Sequence, residues 1–272
     1  MKLAWDVRGQ GQRTLVLLHG FTGSREAWGR AEQLVSPFFR LVRVELPGHG
    51  ASPLPLAAGS DGFAETIAAL VAVLAEVSES PVELLGYSQG ARLALGVALA
   101  VPERIRRLVM ESGSPGLPHP KDRHARRDDD ERLAEEILHD GIAAFVARWE
   151  RLPLFAGLAR LPEGEQEAMR ARRLSSTSAG LAGALRCLGL GVQPDYSSRL
   201  PSFQRPTLLL AGAEDAKFAA IARRMATDLP MARCYVFTGC GHAPHLEAPA
   251  EWAREVLSFL QANGKTETWS AA

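Results

Sequence analysis

The pentapeptide Gly86-Tyr87-Ser88-Gln89-Gly90 fits the pattern G-x-S-x-G and lies between an apolar run, residues 82–85, and an Ala/Leu-rich stretch, residues 91–100. The run suits a buried strand and the stretch a helix, so the chain must turn sharply from one into the other at the serine. Glycines flank the serine because so tight a turn leaves no room for a Cβ. The turn sets Ser88 Oγ at the positive end of the helix, where a neighbouring imidazole can activate it. Five positions with three fixed recur by chance, so the weight of the pattern comes from the strand before it and the helix after it.

The segments around this turn alternate in the same way. Residues 15–18, 41–44, 81–86 and 107–111 read as short buried strands, and residues 27–35 and 91–100 as helices. A further helix, capped by Asp61, runs to about Val77. Such alternation specifies an α/β fold, a mostly parallel sheet with helices on both faces. Residues 1–112 form the first part of this core. Residues 113–200 change to charged helical stretches near 123–139, 141–149, 163–174 and 181–190, with no strand signal, and are expected to form an all-helical cap. Residues 201–263 return to the core with strands at 207–211 and 234–237 and helices at 216–229 and 249–260, and residues 264–272 are expected to be a disordered tail.

A serine nucleophile in such a sheet needs an acid and a histidine, in that chain order, in loops after later strands. Asp215 follows the strand at 207–211 and His242 follows the strand at 234–237, with room between them for one helix and one strand. Ser88, Asp215 and His242 are therefore the expected triad, with Glu214 and His245 as adjacent decoys. Taken alone, Asp215 reads as a helix N-cap and His242 as a loop histidine; order and placement together favour chemistry. His19-Gly20-Phe21 follows the strand at 15–18, which makes the backbone N–H groups of Phe21 and Gln89 the candidates for an oxyanion hole. The His19 side chain is read as shaping its loop, and 47–50, Pro-Gly-His-Gly, as a turn.

Charge supplies a second clue. The 272 residues carry 31 Lys+Arg and 31 Asp+Glu, a net charge of zero that speaks against nucleic acid as a partner. Only Lys2, Lys121, Lys217 and Lys265 are lysines, which leaves 31 − 4 = 27 arginines. Biased codon usage explains such a ratio, and so does a need for guanidinium forks that grip carboxylates. No apolar run approaches the ~20 residues of a membrane span, and 1–10, MKLAWDVRGQ, has no apolar core of a secretion signal. Three cysteines, Cys187, Cys234 and Cys240, without metal-ligand spacing favour reduced thiols and a cytoplasmic location. The sequence has no cofactor motif and no metal cluster, and it leaves the oligomeric state unknown.

The ordered set HGF (19–21), ELPGHG (45–50), GYSQG (86–90), GAED (212–215) and GCGH (239–242) resembles the α/β-hydrolase superfamily over nearly the whole chain. That implies the fold and leaves the reaction open. Further motifs narrow it: 114–117 (SPGL), the Arg-rich stretch leading to Asp130 and Leu133-Ala134, Trp149 with 153–155 (PLF), 193–195 (QPD) and 217–218 (KF). Together they resemble the 2-succinyl-6-hydroxy-2,4-cyclohexadiene-1-carboxylate (SHCHC) synthase family of menaquinone biosynthesis. The resemblance implies a lyase that eliminates pyruvate from a small polycarboxylate, 2-succinyl-5-enolpyruvyl-6-hydroxy-3-cyclohexene-1-carboxylate. In it, activated Ser88 removes a proton α to a ketone. It also implies that Arg92, Arg126 and Arg173 clamp the carboxylates and that Tyr87, Trp149 and Phe155 line the pocket. Arg172 is an alternative to Arg173, as are Arg123 and Arg127 to Arg126, and 175–177 (SST) departs from the family pattern. The rival reading is a carboxylesterase or C–C hydrolase using the same triad for acyl transfer, and a non-catalytic ligand receptor is a third.

Overall fold

The computed structural model describes residues 1–54 and 61–262; the expected tail at 264–272 lies outside them. Its centre is a seven-stranded sheet made of β1 (Trp5–Arg8), β2 (Arg13–Leu18), β3 (Phe39–Val44), β4 (Val82–Tyr87), β5 (Ile105–Glu111), β6 (Thr207–Gly212) and β7 (Ala232–Phe237). The strand order is β1-β3-β2-β4-β5-β6-β7, and every neighbouring pair is parallel except β1 with β3. Strands β2, β4 and β6 are nearly continuous apolar runs because both of their faces are covered.

Helices α2 (Gly62–Val77), α3 (Gln89–Ala100) and α7 (Ala216–Asp228) cover one face, and α1 (Gly29–Val35) and α9 (Pro249–Gln261) cover the other. Between β5 and β6 the chain forms α4 (Pro120–Trp149), α5 (Glu163–Leu174) and α6 (Ser178–Leu188). Helix α4 is broken at Gly141, whose φ of 81° no ordinary helical residue adopts. Residues Ala134, Ile137, Phe145, Val146, Leu181 and Leu185 give α4 and α6 a small apolar core of their own. A one-turn helix, α8 (Pro244–Glu247), follows β7.

The observed elements differ from the sequence expectation mostly at their ends. Strands β3, β5 and β7 each begin two residues earlier, where a polar or small residue interrupts the apolar signal. Helix α6 begins at Ser178 because the Thr177 hydroxyl accepts the Gly180 N–H at 3.0 Å. Strand β1 had no signal at all: its four residues, Trp-Asp-Val-Arg, are half-polar and form a sheet edge. Among the described residues no helix is long and apolar enough to cross a membrane.

Candidate active site

The carboxyl ends of the parallel strands carry the loops in which α/β sheets place ligands. Strand β4 ends at Tyr87, and Ser88 follows with φ 51° and ψ −108° before α3 begins. A Cβ on Gly86 would stand 2.3 Å from the Gly90 carbonyl oxygen, and one on Gly90 would stand 2.0 Å from the carbonyl oxygen of Leu18. The glycines of the pentapeptide are thus required by the approach of α3 to the sheet. His242 Nε2 lies 3.0 Å from Ser88 Oγ, and His242 Nδ1 lies 2.6 Å from Asp215 Oδ2. Asp215 does both things its position allows, since its Oδ1 also accepts the Phe218 N–H at 3.3 Å and caps α7. Asp215 and His242 are buried, which strengthens their interaction.

The decoys are occupied elsewhere. Glu214 bonds Arg160 at 2.9 Å, and His245 Nδ1 bonds Glu111 Oε1 at 2.6 Å. The loop 19–23 is fixed by two buried histidines. His19 Nδ1 donates to Gly20 O and its Nε2 accepts the Leu46 N–H, while His49 Nδ1 donates to Pro47 O and its Nε2 accepts the Thr22 N–H. Burial and the neighbouring His49 push the His19 pKa down to about 3, and burial pushes that of His49 down to about 4. Both rings are structural and neutral. They hold Phe21 at the pocket wall, edge-on to Trp149 at 5.4 Å.

Ser88 opens into a cavity of about 230 Å³ bordered by Phe21, Gln89, Trp149, Phe155, Phe218 and His242 and by the cations Arg92, Arg126 and Lys217. Arg92 sits in the first turn of α3, against the helix dipole, where its Nη2 donates to Leu188 O at 2.8 Å and its Nη1 to Gln193 Oε1 at 3.2 Å. Burial and then the charge of Arg126 lower its pKa to about 10, against the opposing pull of Asp130, so it stays cationic at neutral pH. Arg126 donates to Asp130 at 2.9 Å. Trp149 Nε1 is buried with no hydrogen-bond partner in the protein. Tyr87 also borders the cavity; burial and then Glu111 raise its pKa well above the ordinary phenol value, which keeps it protonated.

Arg173 is placed differently from Arg92 and Arg126. It borders a smaller cavity of about 50 Å³ together with Arg172 and His245, and Tyr87, Phe21 and Phe155 line both cavities. Its guanidinium lies 5.5 Å from the Phe155 ring centroid and its Nη1 donates to Glu150 at 3.2 Å. The cause is burial: Arg173, only 6% exposed, takes the carboxylate that follows α4. The structure therefore brings two of the three expected clamp arginines to the Ser88 cavity. The alternatives Arg123 and Arg127 donate to backbone carbonyls, of Leu117 and Pro118 and of Gly191. Lys217 and Phe218, expected only as a family motif, also line the Ser88 cavity. The Phe218 ring stands edge-on to His242 at 4.7 Å because Asp215 caps the helix that carries it.

The parallel sheet, the serine at a strained strand-to-helix turn and the acid and base after later strands define an α/β-hydrolase, and residues 13–249 match the model of the alpha/beta hydrolase fold family. A putative SHCHC synthase of Bacillus subtilis is 37% identical over 90% of this chain and 89% of its own length, and the SHCHC synthase of Salmonella typhimurium is 35% identical over 92% and 95%. The structure of MenH from S. aureus superposes with a TM-score of 0.88 at 32% identity, over 94% of this chain and 97% of that one. The chain belongs to the SHCHC synthase family.

Proposed function

We propose that this protein is an SHCHC synthase that eliminates pyruvate from 2-succinyl-5-enolpyruvyl-6-hydroxy-3-cyclohexene-1-carboxylate in menaquinone biosynthesis. The observation that carries the mechanism is a serine–histidine–aspartate relay, with bonds of 3.0 and 2.6 Å, opening into a cavity bordered by Arg92 and Arg126. His242 takes the Ser88 proton, and Ser88 Oγ takes the proton α to the succinyl ketone. The enolate oxygen is held by the N–H groups of Phe21 and Gln89. The enolate then re-forms the ketone as the electron pair expels the enolpyruvate oxygen, giving a new ring double bond. The proton held by His242 returns to the leaving group, which becomes pyruvate.

The arginines hold carboxylates, because a fork matches a carboxylate in two bonds. In this reading residues 1–112 and 201–263 are the core, residues 113–200 are a cap that closes the cavity, and Arg173 clamps from beyond Phe155, its partner Glu150 being shared with Arg170. Three free thiols support a cytoplasmic enzyme. The test is pyruvate release by the purified protein, followed with lactate dehydrogenase and NADH. Stoichiometric pyruvate, lost in Ser88→Ala, is expected; rapid ester hydrolysis with no pyruvate would establish acyl transfer instead.

A further inference from the structure

The end of β5 touches both halves of the relay. The Glu111 carbonyl accepts the Ser88 N–H at 2.8 Å, and the next residue, Ser112, donates its hydroxyl to the His242 carbonyl at 2.8 Å. Ser112 is 1% exposed and has φ 50°, a strained conformation for a residue with a Cβ. The Glu111 carboxylate is fully buried: its Oε1 takes His245 Nδ1 at 2.6 Å and the His245 N–H at 3.3 Å, and its Oε2 takes Trp252 Nε1 at 2.7 Å. His245 is three residues after His242, at the start of α8. The Glu247 carboxylate at the end of that turn accepts the N–H groups of Gly241 and Ala243, on either side of His242. The main chain of the base is thus held at three points, and one of them is a side chain next to the residue that holds the nucleophile.

We propose that Glu111 and Ser112 are positioning residues that set the distance between Ser88 and His242. The two residues bridge elements far apart in sequence. Strand β5 is bonded on one edge to β4, which ends just before Ser88, and on the other to β6, and the Ser112 N–H continues that ladder to Leu210 O at 2.8 Å. Without the Ser112 hydroxyl the His242 carbonyl loses its buried donor, and the imidazole is no longer fixed along the line to Ser88 Oγ. A misplacement on this scale affects proton transfer and leaves the carboxylate contacts intact.

The inference rests on Ser88 being the reactive hydroxyl of the proposed function, so its test reads serine reactivity separately from turnover. Ser112→Ala removes the hydroxyl, and Ser112→Gly removes it while also relieving the positive φ, so that at least one variant folds. In both, kcat for pyruvate release is expected to fall about tenfold with KM within about twofold, and phosphonylation of Ser88 by a small phosphonyl fluoride should slow by a similar factor. Glu111→Gln, which cannot accept from both His245 and Trp252, should slow phosphonylation in the same way. The far-downfield proton resonance of His242 Nδ1–H should shift or broaden in each variant. Unchanged phosphonylation in Ser112→Gly, or a rise in KM with kcat intact, would overturn the proposal, the second outcome making Ser112 a substrate contact. Failure of the wild-type protein to phosphonylate would instead overturn the role given to Ser88.

Discussion

At the residue scale the two arginines of the Ser88 cavity are not equivalent. Arg92 is anchored by Leu188 O and Gln193, both neutral acceptors that leave its charge short of compensation, and burial with the nearby Arg126 lowers its pKa. Arg126 is partly neutralised by Asp130 and its side chain is 42% exposed. A substrate carboxylate therefore gains more from Arg92. Arg92→Ala should lower kcat/KM by about 100-fold and Arg126→Ala by about 30-fold, both measured by initial rates of pyruvate release. Arg92→Lys should remain well below wild type because a point charge replaces a fork. Near-normal kinetics in both alanine variants would remove the arginines from substrate binding. Arg173 differs again: it shares the Glu150 carboxylate with Arg170, so Arg173→Lys should weaken the contact between α5 and the end of α4, read as a lower melting temperature, as well as any substrate effect.

At the scale of elements, what was legible in the sequence was what one strand or helix decides by itself. Strands β2, β4 and β6 announce themselves because both faces are buried, and the nucleophile turn because only glycine permits α3 to lie so close to β2. The order of Ser88, Asp215 and His242 could be read because each follows a strand. Strand β1, the pairing of Arg173 with Glu150 and the role of Ser112 could not be read, because each depends on a surface that another part of the chain supplies. The glycine argument can be tested. A Cβ at residue 90 would meet main-chain oxygens of Leu18 and His19 at 2.0 and 2.5 Å, which no rotamer relieves. Gly90→Ala should lift α3 from β2, cost about 2 kcal/mol or more in urea unfolding, and abolish activity by moving Ser88. Wild-type stability and turnover in this variant would show that the close approach is not required.

On the scale of the whole molecule, equal numbers of acidic and basic residues conceal an uneven distribution, in which the Ser88 cavity is bordered by three cations and the loops beside it by two imidazoles held neutral. The acid stability of the protein depends on those imidazoles. His19 and His49 pack 5.0 Å apart, and the Nε2 atom of each accepts a main-chain N–H. A proton added there would face a donor, so the folded chain resists protonation down to about pH 4 for His49 and about pH 3 for His19. In the unfolded chain both histidines titrate near the ordinary value of ~6.5. Their folded values lie below the unfolded ones, so stability is complete above about pH 6.5 and is lost as pH falls below it, because only the unfolded chain takes up the protons. Between pH 7 and pH 5 the pair should remove about 4 kcal/mol of unfolding free energy, measured by urea titration at the two pH values. In His49→Gln, which keeps an acceptor for the Thr22 N–H but no titrating ring, the loss over the same interval should fall to about half. An unchanged loss in that variant would place the acid sensitivity in other groups and leave the two rings without this role.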